Sequence, residues 1–531
     1  MNPQQFLKEF GHLVETPGGV GHLRKVALHL AGKGLLTARS SQDGTASSLI
    51  AKETVLDEPS WLPAGWIWTS LGGLGRFTGG GTPSKGRKEF WGGSIPWVTP
   101  KDMKRPYIAE AIDTITDAAV DGSSAKRIPT GSLLMVVRGM ILAHTFPVAL
   151  TRSEVTVNQD MKALVLDRPE VGEFVLRYLQ GSQARMLANV ARSTHGTCRL
   201  DSEVMASFSV PLPPLPEQKR IVAKVDQLMA LCDDLEARQQ ERRTVAVKAN
   251  QAALHAVVEA TEPKTIKTTW KRVSSNFDVL HDLPENVQEL RQAVLAFGLD
   301  GRLTNNGERV APTITVAIDK RRQESGASVA LPAVPPEWRW ATFGDITSLV
   351  TSGSRGWKKY LSASGPLFIR SQDINRDRLA DSGVASVSLP RGVEGSRTRV
   401  YEGDLLITIT GANVGKAAFV DRPVEEAYVS QHVALVRPVG NVFGPFLHRW
   451  LIAEHCGRGL LVGRSYGDKP GLNLDNIRTL PVPLPPLPEQ KRIVAKVDQL
   501  MALCDDLEAK LKQSQADGER LMKAVVERLV A

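Results

Sequence analysis

One string of 28 residues occurs twice in this chain. Val210–Ala237 reads VPLPPLPEQKRIVAKVDQLMALCDDLEA, and Val482–Ala509 repeats it letter for letter 272 positions later. Chance does not produce such a match, so the chain is built from two copies of one unit, roughly 1–265 and 266–531. Weaker matches extend the repeat. Leu23-Arg24, Leu28, Gly34 and Leu36-Thr37 correspond to Leu290-Arg291, Leu295, Gly301 and Leu303-Thr304. Trp66 and Trp68 correspond to Trp338 and Trp340, Gly131 and Leu133-Leu134 to Gly403 and Leu405-Leu406, and Gln159 to Gln431. Each copy therefore has a helical lead-in (1–59 and 266–331), a block (60–209 and 332–481) and a helical tail (210–265 and 482–531). The tails share 28 identical residues where the blocks share only a skeleton. The identical stretch presents one surface twice, to each other or to two copies of a partner; divergent blocks on one skeleton are suited to bind two different things.

The tails read as long helices. Pro211, Pro213 and Pro214 make a stiff extended lead, and Pro216 fits a first helical turn, where its missing N–H costs little. Glu217 suits the positive end of the helix dipole. From there Ile221, Val225, Leu228, Cys232 and Leu235 recur at alternating spacings of four and three, as do Ile493, Val497, Leu500, Cys504 and Leu507. Two such seams are expected to pack on each other as an antiparallel coiled coil; the same stripe could instead pack on its own block. Cys232 and Cys504 sit on the seam as small hydrophobes. The first helix is expected to run to about Glu259.

The blocks mix short strand-like runs with turns and helices, which makes the fold α+β: two mixed α/β blocks spaced by two long helices in a pseudo-two-fold repeat. Gly131–Val137 and Gly403–Thr410 read as buried strands after a turn, and Phe174–Leu179 and Phe446–Leu451 as helices. Paired loops carry Lys and Arg among Ser, Thr, Asn and Gln. In block one these are Gly79–Lys88, with Thr82, Ser84, Lys85 and Arg87, and Thr99–Asp102, with Lys101. In block two they are Ser352–Lys359, with Arg355 and Lys358; Arg370–Asp373, with Arg370 and Gln372; Thr410–Lys416, with Lys416; and Arg464–Lys469, with Lys469. Such loops suit DNA, because cations and amides hold phosphates while Arg, Lys, Asn and Gln read base edges. A single such residue is more often an ordinary solvated one; the matched set favours the functional reading. The net charge of +9 is compatible with this.

Other classes are disfavoured. No apolar run is long enough to span a membrane, the N-terminus does not read as a signal peptide, and four cysteines without a CxxC pair fit a reducing cytoplasm. GTPSKGRK at 81–88 lacks the Lys-Ser/Thr ending of a phosphate loop, and GANVGK at 411–416 is one residue short. FTGGG at 77–81 resembles a methyltransferase cofactor turn, but Pro83 and Gly86 prevent a prompt helix after it. His195 and Cys198 form a lone pair, with no metal-binding or nucleophile–base set around them. The chain reads as a binder rather than a catalyst.

With PLPPLPEQKRIVAKVDQL present twice, the paired lead-ins, GTPS at 81–84, WVTPKDM, FIRSQDI, and GDLLITITGANVGKAAF followed by VSQHVALV, the chain resembles the specificity subunits of Type I restriction-modification systems over nearly its whole length. The resemblance implies that each block is a target recognition domain for half of a split DNA sequence, and that the tails form the coiled coil setting the half-site spacing. It implies two docked methyltransferase subunits, with restriction subunits able to join. It places S-adenosylmethionine, and ATP with Mg for restriction, on those partners and no cofactor or catalytic residue on this chain. Block one departs in one loop: Val137-Arg-Gly-Met140 stands where block two has Thr-Gly-Ala-Asn, so that loop's role is not carried over. The rival readings are an enzyme in its own right, which lacks its motif, and a protein-interaction scaffold.

Overall fold

The computed structural model describes residues 16, 18–50, 62–192, 197–260, 262–304, 334–335, 337–390, 395–440, 442–466 and 470–530. The chain divides into two compact units, Met1–Glu241 with Gln515–Ala531, and Arg242–Ser514.

In the first unit a lead-in helix, α1 (Gly19–Gly32), precedes the block. The block opens with β1 (Ile67–Ser70), β2 (Gly75–Gly79), β3 (Trp91–Val98) and β4 (Tyr107–Ile108). It continues through β5 (Leu133–Val136), β6 (Val148–Thr151), β7 (Thr156–Val157) and β8 (Met161–Leu166) to the helix α2 (Gly172–Gly181) and β9 (Ser209–Leu212). The main sheet has the order β2-β8-β5-β6-β4. Its central strand β5 is buried on both faces, as a continuous Leu-Leu-Met-Val run requires. The α2 residues Phe174, Val175, Leu176 and Leu179 join the same core. Strand β9 pairs antiparallel with β1, setting Trp68 opposite Pro211 and closing the block start to end. A two-stranded ladder has only edge strands, so it tolerates prolines. The long helix α3 (Leu215–Glu259) follows and ends where its sequence pattern ends.

The second unit continues with α4 (Pro263–Ser275) and the lead-in α5 (Asn286–Leu299). Its block contains β10 (Arg339–Thr342), β11 (Thr347–Ser352), β12 (Leu361–Ile369), β13 (Leu405–Thr408) and β14 (Ala417–Phe419). It closes through β15 (Ala427–Val429), β16 (Val433–Pro438), α6 (Gly444–Ile452) and β17 (Pro481–Leu484), ahead of the second long helix α7 (Leu487–Val530). The sheet order is β11-β16-β13-β14, and β10 pairs with β17 as β1 does with β9.

The first turns of each apolar seam are engaged within their own unit. Ile221 and Val225 belong to the block-one core, and Ile493 and Val497 to the block-two core. Cys232 and Leu235 pack on Val20 and Leu23 of α1. The same lead-in helix meets Met522 and Val526 of α7. In the second unit α5 lies against Leu254, Val257 and Val258 at the end of α3, and its Gly298 lies against Val497 of α7. Each lead-in helix thus contacts the start of its own long helix and the end of the other. The helix α3 leaves the first unit for the second, and α7 makes the reverse passage.

Candidate nucleic-acid interface

Strand register gathers the paired loops at one edge of each block. In block one Gly79 pairs with Lys162 and Val136 with Met161, so the ends of β2 and β5 meet the start of β8. Strand β3 runs parallel to β7, with Val98 beside Val157, which brings the loop after β3 to the same place. Backbone hydrogen bonds knit the edge: Asn158 N donates to Val98 O at 3.1 Å, Val137 N to Asp160 O at 2.9 Å, and Leu200 N to Val137 O at 2.9 Å. Block two repeats these bonds. Ser430 N donates to Ile369 O at 2.8 Å, Ile409 N to His432 O at 3.0 Å, and Leu472 N to Ile409 O at 2.8 Å.

Close approach at this edge demands glycine. A Cβ on Gly80 would run into Val157 O, and one on Gly353 into Val429 O. The loop turns also match. Asp102 accepts from Thr99 N at 2.8 Å, and Asp373 accepts from Arg370 N at 2.8 Å. The Thr-Gly turn missing from block one's sequence has a backbone equivalent. Gly139 (φ 131°) donates its N–H to Cys198 O at 3.0 Å, while Gly411 (φ 93°) donates to Pro470 O at 3.1 Å. Arg138, and not Val137 as the sequence comparison set it, therefore stands where block two has Thr410, on the same frame.

The side chains on the two edges differ. On block one Lys85, Arg87 and Lys101 are exposed, and the Arg87 guanidinium lies 5.2 Å from the Phe90 ring centre. Thr82 donates to Gln159, and the Ser84 carbonyl accepts from Trp91 Nε1 at 3.2 Å. On block two Arg355, Lys358 and Gln372 are exposed and Lys416 is half-buried. Arg370 is committed in part to its own turn, with Nε and Nη2 on Asp373 at 3.0 and 3.1 Å. Lys469 lies outside the described residues, as does His195. Gln159, Arg138, Gln431 and His432 also occupy the edges, and His432 Nδ1 bonds Thr410. The match of Gln159 to Gln431 in the repeat was the sequence signal for that pair.

Behind the block-two edge, the hairpin turn Arg376-Asp377 has positive φ at both residues (47° and 59°), as a tight two-residue turn requires. His448 holds it from α6. Its Nε2–H serves Asp377 O at 3.0 Å and Ala417 O at 3.1 Å, and its Nδ1 accepts from Arg449 at 2.8 Å. Burial pushes this imidazole down to about 4, so it is neutral. Arg449 also reaches Asp498 on α7 at 2.6 Å, which connects the tail to the loop edge.

The tail signature has a matching structural role. Gln218 and Gln490 are buried and donate back to Pro213 O and Pro485 O at 2.8 and 2.9 Å, fixing the Pro-rich lead onto the helix start. Glu217 accepts from Trp66 Nε1 at 2.9 Å. Arg177 pairs with Asp226 at 2.6 Å as Arg449 pairs with Asp498. The lead-in Arg24 bonds Asp233 and Glu236 at 2.6 and 2.8 Å, as Arg291 bonds Asp505 and Glu508 at 2.6 and 2.7 Å.

The family model of the Type I restriction modification DNA specificity domain matches residues 63–242 and 384–514, more than half of the chain. The chain belongs to this specificity family. It is 23% identical over 569 residues to the Type I restriction enzyme EcoAI specificity subunit of Escherichia coli, covering 96% of this chain and 93% of that protein. It is 40% identical over 170 residues to the EcoR124I/EcoR124II specificity subunit of E. coli, covering 32% of this chain and 42% of that protein. Among solved structures, an HsdS subunit from Thermoanaerobacter tengcongensis is similar at 18% identity and a TM-score of 0.38, over 89% of this chain and 98% of that one. In this specificity-family chain the two loop edges are built on one frame and carry different side chains. No helix among the described residues is long and apolar enough to cross a membrane.

Proposed function

We propose that this chain is the non-catalytic DNA-reading subunit of a cytoplasmic Type I restriction-modification complex, and that its two loop edges read the two halves of a split target. The observation that carries this reading is the repeated frame with different surface residues: equivalent backbone bonds hold Arg138 in one block and Thr410 in the other. One fold presented twice with different side chains is suited to two different half-sites. Exposed Lys85, Arg87, Lys101, Arg355 and Lys358 are phosphate or base contacts on this reading, as is half-buried Lys416. The stretch repeated in both tails then serves two methyltransferase subunits, and restriction subunits join them. The methyltransferase partner carries S-adenosylmethionine and flips its adenine out of the duplex; ATP and Mg belong to the restriction subunits. Half-sites read by the two blocks would be separated by about one helical turn, ~34 Å.

The test is long-read mapping of N6-methyladenine in cells expressing this chain with its methyltransferase partner, against cells lacking this chain. A split motif that depends on the chain is the expected result. An active partner without a chain-dependent motif overturns the reading and favours a protein scaffold.

A further inference from the structure

The helix α4 lies outside both loop edges and is unusual in charge. Its 13 residues, PKTIKTTWKRVSS, contain Lys264, Lys267, Lys271 and Arg272 and no acidic residue. These four cations are exposed, and none makes an ion pair among the described residues. At about 100° per residue the three lysines fall within an arc of about 60°. Ile266, Thr269 and Val273 form the opposite face. Val273 is the buried member, packed with Leu254, Val257 and Val258 of α3 and Ala293 and Ala296 of α5. The lysine stripe therefore points away from the face that holds the helix in place. Lys264 also lies in the first helical turn, where the helix dipole disfavours a cation. Helix stability does not account for that placement.

We propose that α4 is a second, sequence-independent DNA contact, with its lysine stripe set against the sugar-phosphate backbone. The proposal rests on the DNA-reading role above. Charge complementarity favours a phosphate backbone, and the choice of residue narrows it further. Lysine is depleted in protein–protein interfaces and serves phosphates as a mobile point charge. Lys264 and Lys271 are seven residues apart, about 10 Å along the helix axis, a span over which a duplex presents several phosphates. Trp270 is 47% exposed beside the stripe, giving a flat apolar surface next to the cations.

The experiment uses the full chain assembled with its methyltransferase partner. Affinity for a duplex carrying the mapped target, and for an unrelated duplex, is measured against salt concentration. K264Q/K267Q/K271Q is expected to make the log–log salt slope shallower by about 2 to 3 on both duplexes, since each phosphate no longer neutralised removes about 0.9 from the slope. The methylated motif should not change, and K264R/K267R/K271R should retain the wild-type slope. Single substitutions, each expected to change the slope by about 1, guard against a folding defect in the triple variant. An unchanged slope overturns the proposal. So does a triple variant that no longer binds the methyltransferase subunit, which would make the stripe a protein contact. If the wild-type complex does not distinguish the two duplexes, the reader role fails, and the slope change still decides the fate of α4.

Discussion

Arg177 and Arg449 show how individual side chains fix a block to its tail. Each projects from a block helix onto an aspartate of the long helix, and Arg177 also donates to Tyr107 Oη at 2.9 Å. Asp226 is about half exposed, so solvent weakens the pair. R177A should cost about 1–2 kcal/mol in urea unfolding, in the range of a charged hydrogen bond. His448 adds a pH term. In the unfolded chain it titrates near 6.5, but in the fold only near 4. Between these values the unfolded state binds a proton that the folded state refuses. Stability is therefore complete above about 6.5 and falls as the pH drops through that window, by up to about 3 kcal/mol. H448Q should flatten this acid limb in thermal unfolding followed from pH 7 to pH 4; an unchanged limb would show that another group sets it. Block one has Leu176 at this position, so this dependence belongs to block two.

At the scale of elements, the loop edges depend on strand ends meeting closely. G80A would push a methyl group into Val157 O, and G353A into Val429 O. Backbone must move in either case, so each variant should lose several kcal/mol or unfold its block. In a complex that still assembles, methylation of the mapped motif should fall for either variant. The long helices make a different prediction. Cys232 and Cys504 are buried, and desolvation raises both thiols above the ordinary cysteine value. Neither should react with a thiol reagent at neutral pH until the protein is unfolded, as mass spectrometry of the labelled chain would show. The length of α3, the buried strands β5 and β13 and the helices α2 and α6 were legible from periodicity, because each is a local pattern. The engagement of the seam by α1 and α5 was not, since an apolar stripe records that it is buried and not by what.

For the whole molecule, the repeat predicts modularity. Replacing residues 63–209 with the corresponding block of another family member should change one half of the methylated motif and leave the other half intact. Asp226 and the Arg24–Asp233 tie of lead-in to tail stay in place, so a new block that carries an arginine at the position of Arg177 should keep the old orientation. A change in both halves, read by methylation mapping, would contradict independent blocks.

The sequence by itself determined that the chain is a duplicated unit with two helical tails and two divergent α+β blocks, and its signature placed it in the specificity family. Exact repetition and periodicity survive in one dimension. The tertiary structure decided which loops share an edge, that Arg138 and Thr410 occupy equivalent turns, and that Arg370 is partly committed to Asp373. It also decided that Glu217 and Gln218 bind inward while Lys219 faces solvent. These outcomes depend on strand register and on hydrogen bonds between residues distant in the chain, and local residue patterns carry no record of either.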